Sequence, residues 1–190
     1  MSGWIQTYSG GQVWPLEAVG QIRFVDIAHA LSHICRFGGH TNYFYSVAQH
    51  CVHAAELMPP EHRIWGLMHD AAEAFLGDWV RPVKQSVGIR SNCGLYWHRL
   101  ETVEEQLLEA IAGRFDLPWP PPWDLIEDVD CRLIVSERDA LLGPPAAPWG
   151  VDERVAGRTI DIVAWDAVTA RTRFAALAVE LGIVAFEESL

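Results

Sequence analysis

Apolar side chains recur along most of this chain at every third or fourth position, the period of helices that each bury one face. Ile27, Ala30, Leu31 and Ile34 follow Asp26, a suitable N-cap, and predict a first helix that stops near Gly38-Gly39. Asn42 is placed to cap a second, whose face is Phe44, Val47, Ala48, Cys51, Val52, Ala55 and Leu57, and Pro59-Pro60 ends it. Ile64, Leu67, Met68, Ala71, Ala72 and Phe75 then predict a buried helix bracketed by Pro60 and Gly77. The short connection makes these two helices antiparallel neighbours.

Past a loop with a short helix starting at Arg81-Pro82, the series from Leu95 to Phe115 predicts a long amphipathic helix, with Glu101, Glu104, Glu105 and Glu109 on its wet side. LPWPPPW, Leu117 to Trp123, must be extended, and its prolines suit packing on the body better than a base-stacking platform. Asp124 opens a further helix through Leu125, Val129, Leu133, Ile134 and Leu141, and Trp165 onward supplies the last, with Val168, Phe174, Leu177, Ala178 and Leu181 before Gly182. Residues 1–21, with Gly10-Gly11 and Pro15, read as an irregular arm or short hairpin. No segment alternates convincingly as a strand. The expected class is all-α, one domain over 1–190, with a core of about 22–142, an amino-terminal arm of 1–21 and a carboxy-terminal loop and helix of 143–190.

Composition narrows the functions available. Half of the residues are hydrophobic and 21% charged, so the chain should fold as a globule. A net charge of -11 excludes broad electrostatic binding to a nucleic acid polymer, whose affinity comes from clustered Lys and Arg. No apolar run is long enough for a bilayer and Met1 to Gly11 does not resemble a signal peptide, so a cytoplasmic protein without membrane association is expected. Cys35, Cys51, Cys93 and Cys131 form no CxxC pair, lie in helical-looking segments and are expected to be reduced core residues.

The chemistry gathers at His69-Asp70. The apolar face of their helix carries one of them inward, and a buried carboxylate needs a partner or a cation. Glu73 lies one turn beyond. His50 lies on the preceding helix, able to face His69, with His53 one turn on as the alternative. Asp130 lies inside a later helix. His29, His33, His62 and His98 are expected to be core or surface residues.

The order H…HD…D resembles the metal-binding signature of the HD-domain phosphohydrolase superfamily. DIAHALSHICRFGGH, from Asp26 to His40, YSVAQH, from Tyr45 to His50, and HDAAEAFLGDWVRPVK, from His69 to Lys84, are similar to a branch acting on nucleotides. That branch contains bacterial 5'-deoxynucleotidases and phage deoxynucleoside triphosphate triphosphohydrolases. The resemblance spans roughly Asp26 to Leu142. It departs from the deoxynucleotidases in the short gap between His50 and His69, and in Phe37 standing where they carry an Arg-Trp pair.

The resemblance implies an all-α HD-domain bundle with a metal site between helices. His50, His69, Asp70 and Asp130 are the implied ligands of a divalent ion; two imidazoles and two carboxylates suit Mn²⁺, Co²⁺, Fe²⁺, Zn²⁺ or Mg²⁺. Such an ion polarises a phosphoryl oxygen and acidifies bound water, so hydrolysis without a covalent intermediate is expected. Glu73 is the expected base, and Asp78 shares the proton work. Arg36, Lys84 and, less directly, Arg81 are candidates to hold phosphate; Phe37 and His40 border the expected pocket. The reaction expected first removes the 5'-phosphate of a deoxynucleoside monophosphate. Release of inorganic triphosphate from a deoxynucleoside triphosphate is the enzymatic alternative, and a nucleotide-binding sensor without turnover the alternative of another class. The amphipathic helices could serve a homo-oligomer, as in the resembling branch.

Overall fold

A computed structural model describes residues 3–90, 95–151 and 160–185 of the chain. The arm is a small antiparallel sheet, β1 (Ile5–Gln6), β2 (Gln12–Trp14) and β3 (Val19–Gly20), in the order β1-β2-β3. A second pair, β4 (Gly88–Arg90) and β5 (Trp97–Arg99), forms a hairpin. Among the described residues the protein is therefore largely helical, as expected, with two small sheets added to the helices. The arm contains the short hairpin expected around Gly10-Gly11, whereas β4 and β5 escape a search for alternation because their strands are too short to show a period. Val13 of β2 is fully buried in the helical core, and the Asp26 carboxylate accepts from the Ser9 amide (2.6 Å) and hydroxyl (2.9 Å), which clasps the arm to the body.

The helices are α1 (Phe24–His33), α2 (Val47–Leu57), α3 (Arg63–Met68), α4 (Glu73–Leu76), α5 (Arg81–Lys84), α6 (Leu100–Arg114), α7 (Trp123–Leu141) and α8 (Ala167–Glu180). At the centre is α2, packed against α1, α3, α7 and α8, and every residue from Tyr45 to Ala55 is buried. A helix buried on every side leaves its polar members no solvent, so they need dedicated partners. Gln49 illustrates this: its Oε1 accepts from the Trp165 amide at 2.9 Å and its Nε2 donates to the Val163 carbonyl at 2.8 Å. Those two bonds tie the segment before α8 to the central helix.

Several boundaries differ from the sequence expectations. Asp26 does not cap α1, which begins at Phe24, because the Asp26 carboxylate is taken by Ser9. Nor does α1 reach the glycine pair; it stops at His33, and Arg36–Gly39 form a separate 3₁₀ turn. Ser46 rather than Asn42 caps α2, accepting from the Gln49 amide at 3.1 Å, while the Asn42 amide donates to the Leu141 carbonyl. Leu95 is exposed and precedes β5, so α6 is shorter than expected. Glu104 is buried, unlike the solvated face assigned to it, since it falls within the stripe of Leu100, Val103, Leu107, Leu108 and Ile111. Leu125 and Val168 point to solvent, with Ile126 and Ala170 buried in their helices instead.

The Pro-rich loop packs on the body: the Trp65 indole donates to the Pro118 carbonyl at 2.9 Å, and Trp119 meets Trp65 edge-on. Of the cysteines, Cys51 is buried and free, Cys35 and Cys131 are free and half-buried, and Cys93 lies outside the described residues. Cys35 sits in an isolated bridge to Ser46 rather than in a helix. No helix among the described residues is long and apolar enough to cross a membrane.

One glycine sets the spacing of the central pair. A Cβ at Gly66 of α3 would stand 2.6 Å from the Ala55 Cα and 2.7 Å from its amide nitrogen, closer than any carbon contact tolerates. Gly66→Ala is expected to lower unfolding stability by about 1–3 kcal/mol, the usual penalty of overpacking, read from urea denaturation followed by circular dichroism.

Candidate metal centre

The segment expected as one helix from Pro60 to Gly77 is broken where the chemistry lies. A 3₁₀ turn at Pro60–His62 precedes α3, and between α3 and α4 the residues His69 to Ala72 form a tightened turn. The Gly66 carbonyl, which a regular helix would offer to the Asp70 amide, accepts from His69 Nδ1 at 2.9 Å. Beyond it the backbone runs on i→i−3 bonds, Ala71 to Met68, Glu73 to Asp70 and Phe75 to Ala72. Such tightening inside a helix commonly marks a functional position.

Three segments, α2, the turn between α3 and α4, and α7, bring four side chains to one point. His50 Nε2, from α2, lies 3.3 Å from His69 Nε2 and 3.2 Å from Asp130 Oδ1 of α7, and His69 Nε2 is 3.4 Å from that same oxygen. Asp70 Oδ2 approaches His50 Nε2 at 3.7 Å and His69 Nε2 at 3.4 Å. Ligands bound at about 2.0–2.2 Å to one ion stand about 3.0–3.5 Å apart, so the separations among His50, His69 and Asp130 fit a shared cation, while Asp70 stands slightly farther from His50. Both imidazoles use Nδ1 elsewhere, His50 on Glu137 Oε1 at 2.7 Å and His69 on the Gly66 carbonyl, which leaves the two Nε2 atoms as the inward donors. Asp130 Oδ1 is buried and finds no well-directed hydrogen bond of its own. His50, His69 and Asp130 can therefore hold a metal ion, and Asp70 stands beside them.

The electrostatics agree with that use. Burial and Arg36 work against a charge on His50, yet the carboxylates of Glu137 and Asp130 hold its pKa up to about 10. His69 is raised in the same way, with Asp70 and Asp130 outweighing burial. Asp130 is held well below the usual carboxylate range, the two histidines prevailing over burial. The cluster thus favours positive charge at its centre, which protons on Nε2 or a divalent ion can supply.

Glu73 behaves oppositely. Burial, joined by the charges of Asp70 and Asp78, pushes its carboxyl well above the usual range, and its Oε2 is buried without a hydrogen-bond partner. Its other oxygen lies 3.7 Å from Lys84 Nζ. Lys84 is held more tightly by Glu104, at 2.8 Å, and so sits between two carboxylates. Asp78, half-buried at the end of the segment, is also raised, chiefly by burial and against the pull of Arg36. Arg36 lies between Asp70 Oδ2 (3.6 Å) and Glu137 Oε2 (3.3 Å). Arg81 is exposed on α5 and His40 is exposed just after the 3₁₀ turn. Phe37, at φ 57°, lies beside the Arg36 guanidinium and 6.4 Å from the Trp149 ring.

His53 turns away from the cluster, toward Gln49, Glu56 and the Trp165 ring. His29 and His33 stack on each other, with Tyr8 stacked on His29. Glu137 lies outside the sequence expectations, and Tyr45, Glu104 and Cys51 enter them only as a motif residue, a solvated acid and a core thiol. Glu137 is fully buried two turns beyond Asp130 on α7, a spacing that puts both on one face and was the available signal. The Cys51 thiol, pushed up by burial, sits within ligand distance of His69 and Asp70.

The fold and site define a largely helical protein with a buried His/Asp cluster able to hold a metal ion. Uncharacterized protein YfdR of Escherichia coli is 33% identical over 153 residues, 80% of this chain and 79% of that protein, and this chain belongs to the same family. Uncharacterized protein RCAP_rcc00048 of Rhodobacter capsulatus is 32% identical over 145 residues, 71% of this chain and 69% of its own length. No family model matches the chain.

Adding Mn²⁺ or Co²⁺ to chelator-treated protein at about a hundred times its dissociation constant is expected to raise the melting temperature by about 5–10 °C. Asp130→Ala should remove that rise, and differential scanning calorimetry reads both.

Proposed function

We propose that this chain is a metal-dependent phosphohydrolase of the HD-domain superfamily, which removes the 5'-phosphate of deoxynucleoside monophosphates. The observation that carries the reading is the convergence of His50, His69, Asp70 and Asp130, with separations of 3.2 to 3.7 Å and both Nδ1 atoms engaged behind them. A divalent ion held there supplies Lewis acidity toward a phosphoryl oxygen and acidifies water. Mn²⁺, Co²⁺, Fe²⁺, Zn²⁺ and Mg²⁺ all suit two imidazoles and two carboxylates.

The chain's own residues divide the remaining work. Glu73, raised by burial and by Asp70, is suited to take the proton of the attacking water through its unpartnered Oε2. Asp78 is raised as well and can return a proton to the leaving oxygen. Arg36 gives a forked, directional grip beside Asp70, where a phosphate anion would lie. Lys84 adds positive charge near Glu73, though Glu104 already holds it, so its role is as much to fix Glu73 as to grip substrate. Phe37 lies within the turn that begins at Arg36, and His40 follows directly after it.

The test is release of orthophosphate and triphosphate from a panel of deoxynucleoside mono- and triphosphates, using metal-stripped protein resupplied with Mn²⁺ or Co²⁺. Orthophosphate release from monophosphates, lost in Asp70→Ala, is the expected result, and Glu73→Gln should lower kcat by about 10²- to 10⁴-fold while still binding metal. Triphosphate release would assign the longer leaving group. No release with metal bound would overturn the hydrolase reading in favour of a binding protein.

A further inference from the structure

We infer that Glu137 is the positioning residue of the metal centre, an inference that rests on the metal reading above: its carboxylate fixes His50 with Nε2 aimed at the ion and Arg36 beside Asp70. One oxygen, Oε1, accepts from His50 Nδ1 at 2.7 Å and from the Tyr45 hydroxyl at 2.9 Å. The other, Oε2, faces Arg36 Nε at 3.3 Å. Glu137 and Tyr45 are both fully buried, so these groups have each other and no solvent. An ionised carboxylate in such a place needs charged or hydrogen-bonded partners, and here two hydrogen-bond donors, Tyr45 and His50, and the paired charge of Arg36 converge on it.

The geometry is specific to one of the two histidines. His69 is oriented by a neutral backbone carbonyl three residues away, whereas His50 is oriented by an anion reached across 87 residues of chain. A carboxylate behind Nδ1 fixes the tautomer and makes Nε2 a stronger donor to a metal. Asp130 stands two turns earlier on α7, so one helix face delivers both a ligand and the group that orients another ligand. The same carboxylate keeps Arg36 within 3.6 Å of Asp70, which places a guanidinium at the edge of the cluster.

The test is isothermal titration of Mn²⁺ and Co²⁺ into the chelator-treated full chain, for wild type, Glu137→Gln, Glu137→Asp and Asp139→Asn. The last removes a neighbouring exposed charge on α7 that pairs with Arg138 and does not contact His50. Expected is a 10- to 100-fold weaker dissociation constant in Glu137→Gln, a change in the visible spectrum of the bound Co²⁺, and Asp139→Asn within twofold of wild type. Should Glu137→Gln fail to fold by circular dichroism, Glu137→Asp keeps the charge but draws it back from His50, and weakened binding with an altered Co²⁺ spectrum is expected there. Wild-type affinity and spectrum in the folded variant would overturn the role of Glu137, as would an equal loss in Asp139→Asn. Wild-type protein that takes up neither ion would overturn the metal reading itself.

Discussion

The candidate centre depends on a side chain that is not there. Gly66 lets the backbone of α3 lie against Ala55 of α2, at a distance where a Cβ would stand 2.6 Å from the Ala55 Cα. That approach brings His50 and His69 within reach of each other, and the Gly66 carbonyl is also the acceptor that turns His69. Helix spacing and imidazole orientation therefore share one residue. Around it, α2 is enclosed by α1, α3, α7 and α8, so the histidine it carries has no freedom to relax outward.

Within this enclosure the charges are sorted rather than simply accumulated. Glu137 is held down to about 2 in spite of its burial, by Arg36 and then His50, while Glu73 is driven upward by burial and by Asp70 and Asp78. Groups of one chemical type thus acquire opposite proton affinities a short distance apart, which is the arrangement a site needs to hold charge with one carboxylate and move protons with another. The net charge of -11 belongs to the whole molecule; locally Arg36 and Lys84 are locked among acids and set the field.

Much of this was readable from residue order. The helices around Ile27, Val47, Leu107, Val129 and Phe174 follow from apolar period alone, and the facing of His50 and His69 follows from placing them on adjacent helices, whereas Asp70 and Asp130 join them through the H…HD…D resemblance. What periodicity could not supply is competition between side chain and backbone. Ser46 captures the Gln49 amide ahead of Asn42, Ser9 captures Asp26, and His69 captures the Gly66 carbonyl, each a local bond that moves a boundary or breaks a helix. Glu104 and Glu137 were hidden for another reason: an acid inside an apolar stripe reads as a solvated interruption until its partner, Lys84 or His50, is found far along the chain.

The Glu137 contact also has a meaning in time. A chain leaving the ribosome delivers α1, α2 and α3 first, so His50 and His69 emerge, and can pair their helices, before any residue of α7 exists. Asp130 and Glu137 arrive together on one later helix, and the segment that Gln49 binds comes later still. The candidate cluster therefore cannot close until α7 has been synthesised, which makes its assembly a late event for the chain.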